Sequence, residues 1–541
     1  MRVTILIVLP VLILAGVVIA LPVTPAPAGG PTIVVDTTDD ENNNDGDCSL
    51  REALSATSLN IAVDSCPAGH PVGPDTIVLQ SGQVYTLSLG FLDAGGPGAL
   101  TIKGDAGPGT AIIDGGDSSS VLRVTADSEV LIMDLTIRNG QSGNIAGGIW
   151  NTGDLTIEAS EVINNSADSN GGGILTSGTL SVSNSLISNN HSGLSGGGIS
   201  NAVGTTTITD SVISGNTAVG GGGISNKDIL NVERTLISGN TAAGSGGGIN
   251  NNGFAALLNV TISGNEGGGL REQFGSGFTR LTNVSIVDNT NDNPDGPLGI
   301  EQGGGEVIMV NTIVSNGDGS RNCEHIGGIT SNGYNLETGD TCGLAAFADQ
   351  TSTDPLLGPL QDNSGPSFTH ALLDGSPALS AADAAVCPTV DQRGKPRPAG
   401  DGCDIGAYES GATAPTPSPS PEPTDTPTPT ATPALTPTAT PPPPGEAALT
   451  QGDNDCDGDT DAVDALTGLR HVAAISFSQE PGCPAIGDSV PAAPAGDPPN
   501  LFGDVDCDDD VDAVDALGIL RKVVAFSVSQ NEPCTDIGEP L

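Results

Sequence analysis

The stretch from Gly147 to Asn316 limits this chain's choice of fold more than any other. A glycine run followed by one aliphatic residue returns six times: Gly147-Gly148-Ile149, Gly171-Gly172-Gly173-Ile174, Gly196-Gly197-Gly198-Ile199, Gly221-Gly222-Gly223-Ile224, Gly246-Gly247-Gly248-Ile249 and Gly267-Gly268-Gly269-Leu270. The isoleucines step by 25 residues, and the last step, to Leu270, is 21. An aliphatic residue three places before an asparagine runs in phase: Val162/Asn165, Ile187/Asn190, Ile213/Asn216, Ile237/Asn240, Ile262/Asn265, Ile286/Asn289 and Ile313/Asn316. Five residues before each of those aliphatics stands another: Ile157, Val182, Ile208, Val232, Leu257, Leu281 and Ile308. Interlocked markers at one period are the mark of a solenoid.

The residue types decide which solenoid. Short β-branched runs broken by Gly and Asn are hostile to helix, and the leucines are too sparse for a leucine-rich repeat. Three short strands per turn, each pairing with its copy one turn away at about 4.8 Å, make a parallel β-helix. Its expected core is a column of Ile, Val and Leu. The recurring Asn suits a left-handed bend, with its amides hydrogen-bonded along the stack. The expected architecture is mainly β, with a parallel β-helix over 76–345 of about a dozen turns, roughly 60 Å long.

Residues 1–28 read as a secretory signal: Met1-Arg2, an apolar run Val3–Leu21, and the small-residue site Ala26-Pro27-Ala28. The run is nearly long enough for an uncleaved anchor; no later segment spans a membrane, so the expected location is extracellular or at the cell surface. Ten cysteines fit export, and a formal charge of −49 excludes nucleic acid as a partner.

Residues 31–75 read as a cap over the raw first turn, with an acidic Asn/Asp run, a short helix burying Leu50, Ala53 and Leu54, and Cys48 and Cys66 as its bridge. Cys48-Ser49-Leu50-Arg51-Glu52-Ala53 resembles the signature of the CSLREA domain, found at the front of secreted bacterial β-helix proteins. The Gly-Gly-aliphatic and aliphatic-x-x-Asn markers resemble repeats of chlamydial-type polymorphic membrane proteins, which implies a right-handed, pectate-lyase-like β-helix. Residues 346–411, ending Asp391-Gln392-Arg393-Gly394-Lys395-Pro396-Arg397-Pro398 and Cys403-Asp404-Ile405-Gly406-Ala407-Tyr408-Glu409, resemble the C-terminal portion of the choice-of-anchor Q domain, which precedes a surface-attachment module. Here Arg393, Lys395 and Arg397 are expected to pair with local acids and close the last turn. Cys323/Cys342 and Cys387/Cys403 are nearest in sequence, although spacing alone does not derive connectivity.

Residues 412–450, mostly Pro, Thr, Ala and Ser, read as an extended spacer. Residues 451–541 hold two acidic loops. Asp453, Asp455, Asp457, Asp461 and Asp464 occupy positions 1, 3, 5, 9 and 12 of the first, as Asp504, Asp506, Asp508, Asp512 and Asp515 do of the second. Asp459 and Asp510 offer the carbonyl at position 7. That is the oxygen spacing of an EF-hand loop, so two Ca2+ sites are expected, with folding coupled to the metal. Gly458 meets the sharp turn of the first loop and Asp509 replaces it in the second. Each loop runs into one amphipathic helix, and the duplication carries Cys456 and Cys483 onto Cys507 and Cys534.

This tandem resembles a type I dockerin, which implies a small α-helical domain and a cohesin-like partner. The resemblance places Ala462, Val463 and Arg470, and Ala513, Val514 and Arg521, at the partner surface.

No catalytic residues are expected. A glycosidase needs two carboxylates across one bond, and a lyase needs a base. The repeats carry Ser, Thr, Asn and Gly with scattered Asp134, Asp154, Glu158, Asp210, Asp228 and Glu233. His191, His325 and His370 stand apart and read as structural or solvent-exposed, and Trp150 is alone. The reading is a non-catalytic adhesin-like or matrix component that docks through calcium. The alternative is a polysaccharide lyase or glycoside hydrolase on the same frame, and an extracellular polysaccharide is a candidate partner either way.

Overall fold

The computed structural model describes residues 31–411 apart from 72, 274–276, 293–295, 318 and 326–327, together with the backbone of Ser489–Val490 and Asn500–Leu501. The chain divides into two units, Met1–Ser420 and Pro421–Leu541. The signal, the spacer, both acidic loops from Asp453 to Asp515, their helices, the partner-facing residues Ala462 to Arg521, and Cys456, Cys483, Cys507 and Cys534 lie outside the described residues. Of the second unit, Ser489–Val490 and Asn500–Leu501 form an antiparallel pair.

The first unit is a parallel β-helix of about ten turns. Sheet 1 runs from Thr32–Val34 to Ile329–Ser331 through 12 strands, sheet 2 from Val84–Thr86 to Leu336–Glu337 through 11, and sheet 3 from Leu92–Ala94 to Cys323–His325 through 10. A short fourth ladder, Gln141–Ser142 to Thr241–Ser245, widens five middle turns. Five-residue strands of sheet 1 alternate outward and inward, as Thr179–Ser183 does.

The glycine-marked isoleucines stack in register on sheet 3: Ile149, Ile174, Ile199, Ile224, Ile249, Leu270 and Ile300 are buried partners in succession. The glycines allow close approach. A Cβ on Gly198 would stand 2.7 Å from the Gly223 carbonyl oxygen, and Gly196 has φ +68°. The asparagine ladder is also present. Asn165 N–H donates to Oδ1 of Asn190 (2.9 Å), Asn190 to Asn216 (2.9 Å), and so on through Asn240, Asn265 and Asn289 to Asn316.

Two details differ from expectation. The left-handed residue is the one before each ladder asparagine from Asn165 to Asn289: Asn164, Asn189, Gly215, Gly239, Gly264 and Asp288. The ladder residue instead turns its amide inward, where each side chain meets the next. The inward columns also slip at the end. Leu281 pairs with Met309 and Ile286 with Val314, so Ile308 faces outward. Ile313 turns away from the solenoid interior into a small second core with Leu336, Leu372, Ala378 and Ile405. The period-2 strand permits no compromise, since a shift of one residue exchanges inside for outside.

Helix α1 (Leu50–Leu59) buries Leu50, Ala53 and Leu54 over the first turn. Ser49 and Glu52 form a reciprocal capping box at its start. Disulfides join Cys48–Cys66, Cys323–Cys342 and Cys387–Cys403. Arg393 pairs with Asp391 (2.6 Å) and Arg397 with Glu409 (3.1 Å), all four buried. The segment they organise does more than close the last turn, because it runs back along the side of sheet 2. Asn259 Nδ2 donates to the Val390 carbonyl, Thr261 Oγ1 to Gln392, and the Ala407 N–H to Ser285 Oγ. The Asp383 N–H reaches Asn311 Oδ1.

Candidate functional site

A depression of about 390 Å³ lies on the outer face of sheet 1, beside the C-terminal segment. Strand register builds it. Thr207, Asn231, Ala256 and Arg280 follow one another outward across four strands, and Thr209, Glu233, Leu258 and Thr282 form the next row. The small Ala256 leaves a gap between the Asn231 amide and the exposed Arg280 guanidinium, and Val386 from the C-terminal segment forms a wall. Arg234 bridges its lip, holding Asp210 (2.7 Å) and touching Glu233. These contacts, Asp210 first, raise the Arg234 pKa further above its ordinary value. The site therefore offers three hydroxyls, one amide, one carboxylate held by a cation, and one exposed cation.

Repetition concealed this place in the sequence. Glu233 stood among scattered acids, and Arg280 was not singled out. The column Thr156, Ser181, Thr207, Asn231, Ala256, Arg280, Ile308 does break from small residues to a cation at Arg280, and that break was the available signal. The wall left no signal, because Val386 is far from Thr207 along the chain.

Among the histidines, His191 is exposed, and His370, on the C-terminal segment, is buried. The His370 Nδ1–H donates to the Gly358 carbonyl (2.8 Å), so Nε2 accepts from Ser263 Oγ (2.9 Å). Burial lowers its pKa. Ser263 is buried too, so the pair fastens the segment to sheet 2. Trp150 lies on the outer face of sheet 3 with the Arg123 guanidinium 5.5 Å from its ring. That guanidinium also covers Phe91 and pairs with Asp93.

A second amide ladder runs along the buried side of sheet 3. Asn201 Nδ2 donates to Asn226 (2.7 Å), Asn226 to Asn251 (2.7 Å), and Asn251 to Oε2 of Glu272 (2.9 Å). Thr279 Oγ1 donates to the same oxygen, while among the described residues Oε1 accepts no hydrogen bond. Burial pushes the Glu272 pKa up to about 7. Its signal was an amide two residues after Ile149, Ile199, Ile224 and Ile249, with Thr176 after Ile174, exchanged for a carboxyl at Leu270-Arg271-Glu272.

Among the described residues, no helix is long and apolar enough to cross a membrane. No protein-family model matches the chain, and no curated protein matches it. Two solved structures are similar in backbone. One is the pectate lyase Pel9A, 14% identical with a TM-score of 0.45, over 70% of this chain and 96% of that one. The other is a mannuronic acid specific polysaccharide family 6 lyase from human gut microbiota, 14% identical with a TM-score of 0.24, over 52% and 78%. The parallel β-helix assignment rests on the strand register of this chain, and no activity is read from either enzyme.

Proposed function

We propose that this protein is a secreted, surface-presented β-helix that binds an extracellular polysaccharide on the outer face of sheet 1, as an adhesin-like or matrix component. The observation behind this reading is the groove beside Val386, with the Thr207, Thr209 and Thr282 hydroxyls, the Asn231 amide and the Arg280 guanidinium on a rigid sheet. Such groups hydrogen-bond sugar hydroxyls without paying for reorganisation. A net charge of −49 disfavours long polyanions, so a neutral glycan fits best. Binding of the full chain to immobilised neutral polysaccharides tests this. Arg280→Ala and Asn231→Ala are each expected to weaken retention by about tenfold, the loss of one or two hydrogen bonds. Unchanged retention in both would remove the site.

A second reading, a polysaccharide lyase, is favoured by Glu233 and Arg280 lining one groove. Elimination needs a base for the proton beside the sugar carboxyl and positive charge to steady the product of that step. Unsaturated oligosaccharide released from pectins or other uronate glycans, and lost in Arg280→Ala, would replace binding with cleavage.

Attachment is assigned to residues 451–541 as a dockerin-like module with two Ca2+ loops and a cohesin-like partner. The support is the spacing of Asp453 to Asp464 and Asp504 to Asp515. Calcium titration of residues 446–541 is expected to give heat and a gain of helix, and neither appearing would end this reading.

A further inference from the structure

Resting on the polysaccharide-binding reading of the groove, we infer that its ligand is a straight, ribbon-like neutral polysaccharide with equatorially linked sugars, lying along the solenoid axis on the outer face of sheet 1. Strand register sets the direction. Thr156, Ser181, Thr207 and Asn231 follow one another across adjacent strands, and Arg280 stands two strands further on. No bulge interrupts the pairing of these strands, so the row keeps one line. Five steps of the strand spacing put roughly 24 Å between the Thr156 hydroxyl and the Arg280 guanidinium. The groove occupies only the far end of that row.

None of these polar groups is engaged elsewhere. Inside the solenoid the repeated amides bond to their copies, as Asn190 Nδ2 does to Asn216 (2.9 Å). Outside, the hydroxyls of Thr156, Ser181 and Thr207, the Asn231 amide and the Arg280 guanidinium make no hydrogen bond within the described residues. All five are at least partly exposed. They sit on a backbone already fixed by its ladder, so a ligand meets them without having to order the strands that carry them.

The neighbouring outward row on the same strands is apolar. Ile229, Phe254 and Phe278 are register partners in succession, two residues along the strand from Asn231, Ala256 and Arg280. The two rings stack with centroids 5.5 Å apart and planes 5° from parallel. Ile229 is 39% and Phe254 41% exposed, although aromatic residues make up only 2% of the chain. Thr205 precedes Ile229 in that row, so a polar residue is tolerated there and the fold does not require the rings. A polar row beside an apolar rail matches a sugar ribbon, which carries hydroxyls on its edges and C–H groups over its ring faces. Equatorial linkage keeps that ribbon extended along a straight row, whereas axial linkage coils the chain away from it. Covering the rail with C–H surface adds an apolar contribution to the hydrogen bonds of the middle row.

Calorimetric titration of the full chain with cello-, xylo- and β-linked manno-oligosaccharides, from disaccharide to hexasaccharide, tests this against malto-oligosaccharides of the same lengths. At least one equatorially linked series is expected to gain about tenfold or more in affinity with length, and the malto series to bind its hexasaccharide about tenfold more weakly. Phe254→Ala is expected to weaken hexasaccharide binding about tenfold. Thr156→Val, at the far end of the row, is expected to weaken it about threefold and to leave the disaccharide unaffected. Affinity that does not grow with length, a malto series that binds equally well, or hexasaccharide binding unchanged in both folded variants would overturn the track and leave the groove as a glycan site. No binding to any of these sugars or to immobilised polysaccharide would remove the polysaccharide reading itself. The length series needs no substitution, so it decides even where a variant fails to fold.

Discussion

The middle turns and the C-terminal segment are held in place by opposite means. Between Ile149 and Asn265 each turn offers its neighbour the same residues, and the buried polar contacts are neutral amides repeated along a column. Residues 346–411 repeat nothing, and they are organised by the buried pairs Arg393–Asp391 and Arg397–Glu409. In a solenoid one modest contact recurs at every interface, so stability accumulates turn by turn. A segment laid on the side of sheet 2 has no such series. Few, directional contacts must define its position, and a buried ion pair serves position better than net stability.

The sharpest way to break this contrast is to remove one buried charge from the clasp. Arg397→Leu strands Glu409 and the carbonyls of Asp404 and Gly406, an expected loss of about 3–5 kcal/mol. The loss is expected to be local, with limited proteolysis cutting 376–411 while the strand signal in circular dichroism persists. Asn216→Ala opens the ladder instead. It leaves the Asn190 N–H without its partner and removes one of the bonds to the Ile187 carbonyl, at about 1–3 kcal/mol. Here the whole array is expected to melt earlier by calorimetry.

Acid and base are expected to separate the two regions further. The folded-state pKa of Glu272, about 7, lies above its ordinary 4.5. Its contribution is therefore complete below pH 4.5 and lost as pH rises towards 7, on the order of 3 kcal/mol. Glu272→Gln is expected to flatten that slope in thermal melts. The His370 pKa is lowered by burial from 6.5, so its contribution is present above pH 6.5 and lost as pH falls. Acid should thus weaken the His370–Ser263 fastening, while the raised pKa values of Asp404 and Glu409, caused by burial, act in the opposite sense within the clasp. The smallest effect is expected at Arg234→Gln on the groove lip. Its pair with Asp210 is partly exposed and should shift stability by less than about 1 kcal/mol.

Much of the solenoid was legible because its contacts repeat. Ile149 to Ile249 and Asn165 to Asn316 recur with the turn length, and a residue that meets its own copy leaves a period in the chain. The short helix of the cap was legible from Leu50, Ala53 and Leu54. The ends of the pattern were less so. Ile308 kept the spacing while Met309 took the place in the core, because the last turn shortens by one residue between Val307 and Asn316. The candidate groove was hidden for another reason. Its floor is the outward half of sheet 1, where no packing demand enforces a repeat.

By itself the sequence determined a coil of stacked short strands, its inward columns, its amide ladder and the acidic loops that invite metal. Tertiary structure alone decided that residues 346–411 fold back along sheet 2, that Val386 walls a groove holding Arg280, and that a buried Glu272 finishes a column of amides. Periodicity records only contacts between a residue and its equivalent one turn away. A contact between Asn259 and Val390 happens once and leaves no period.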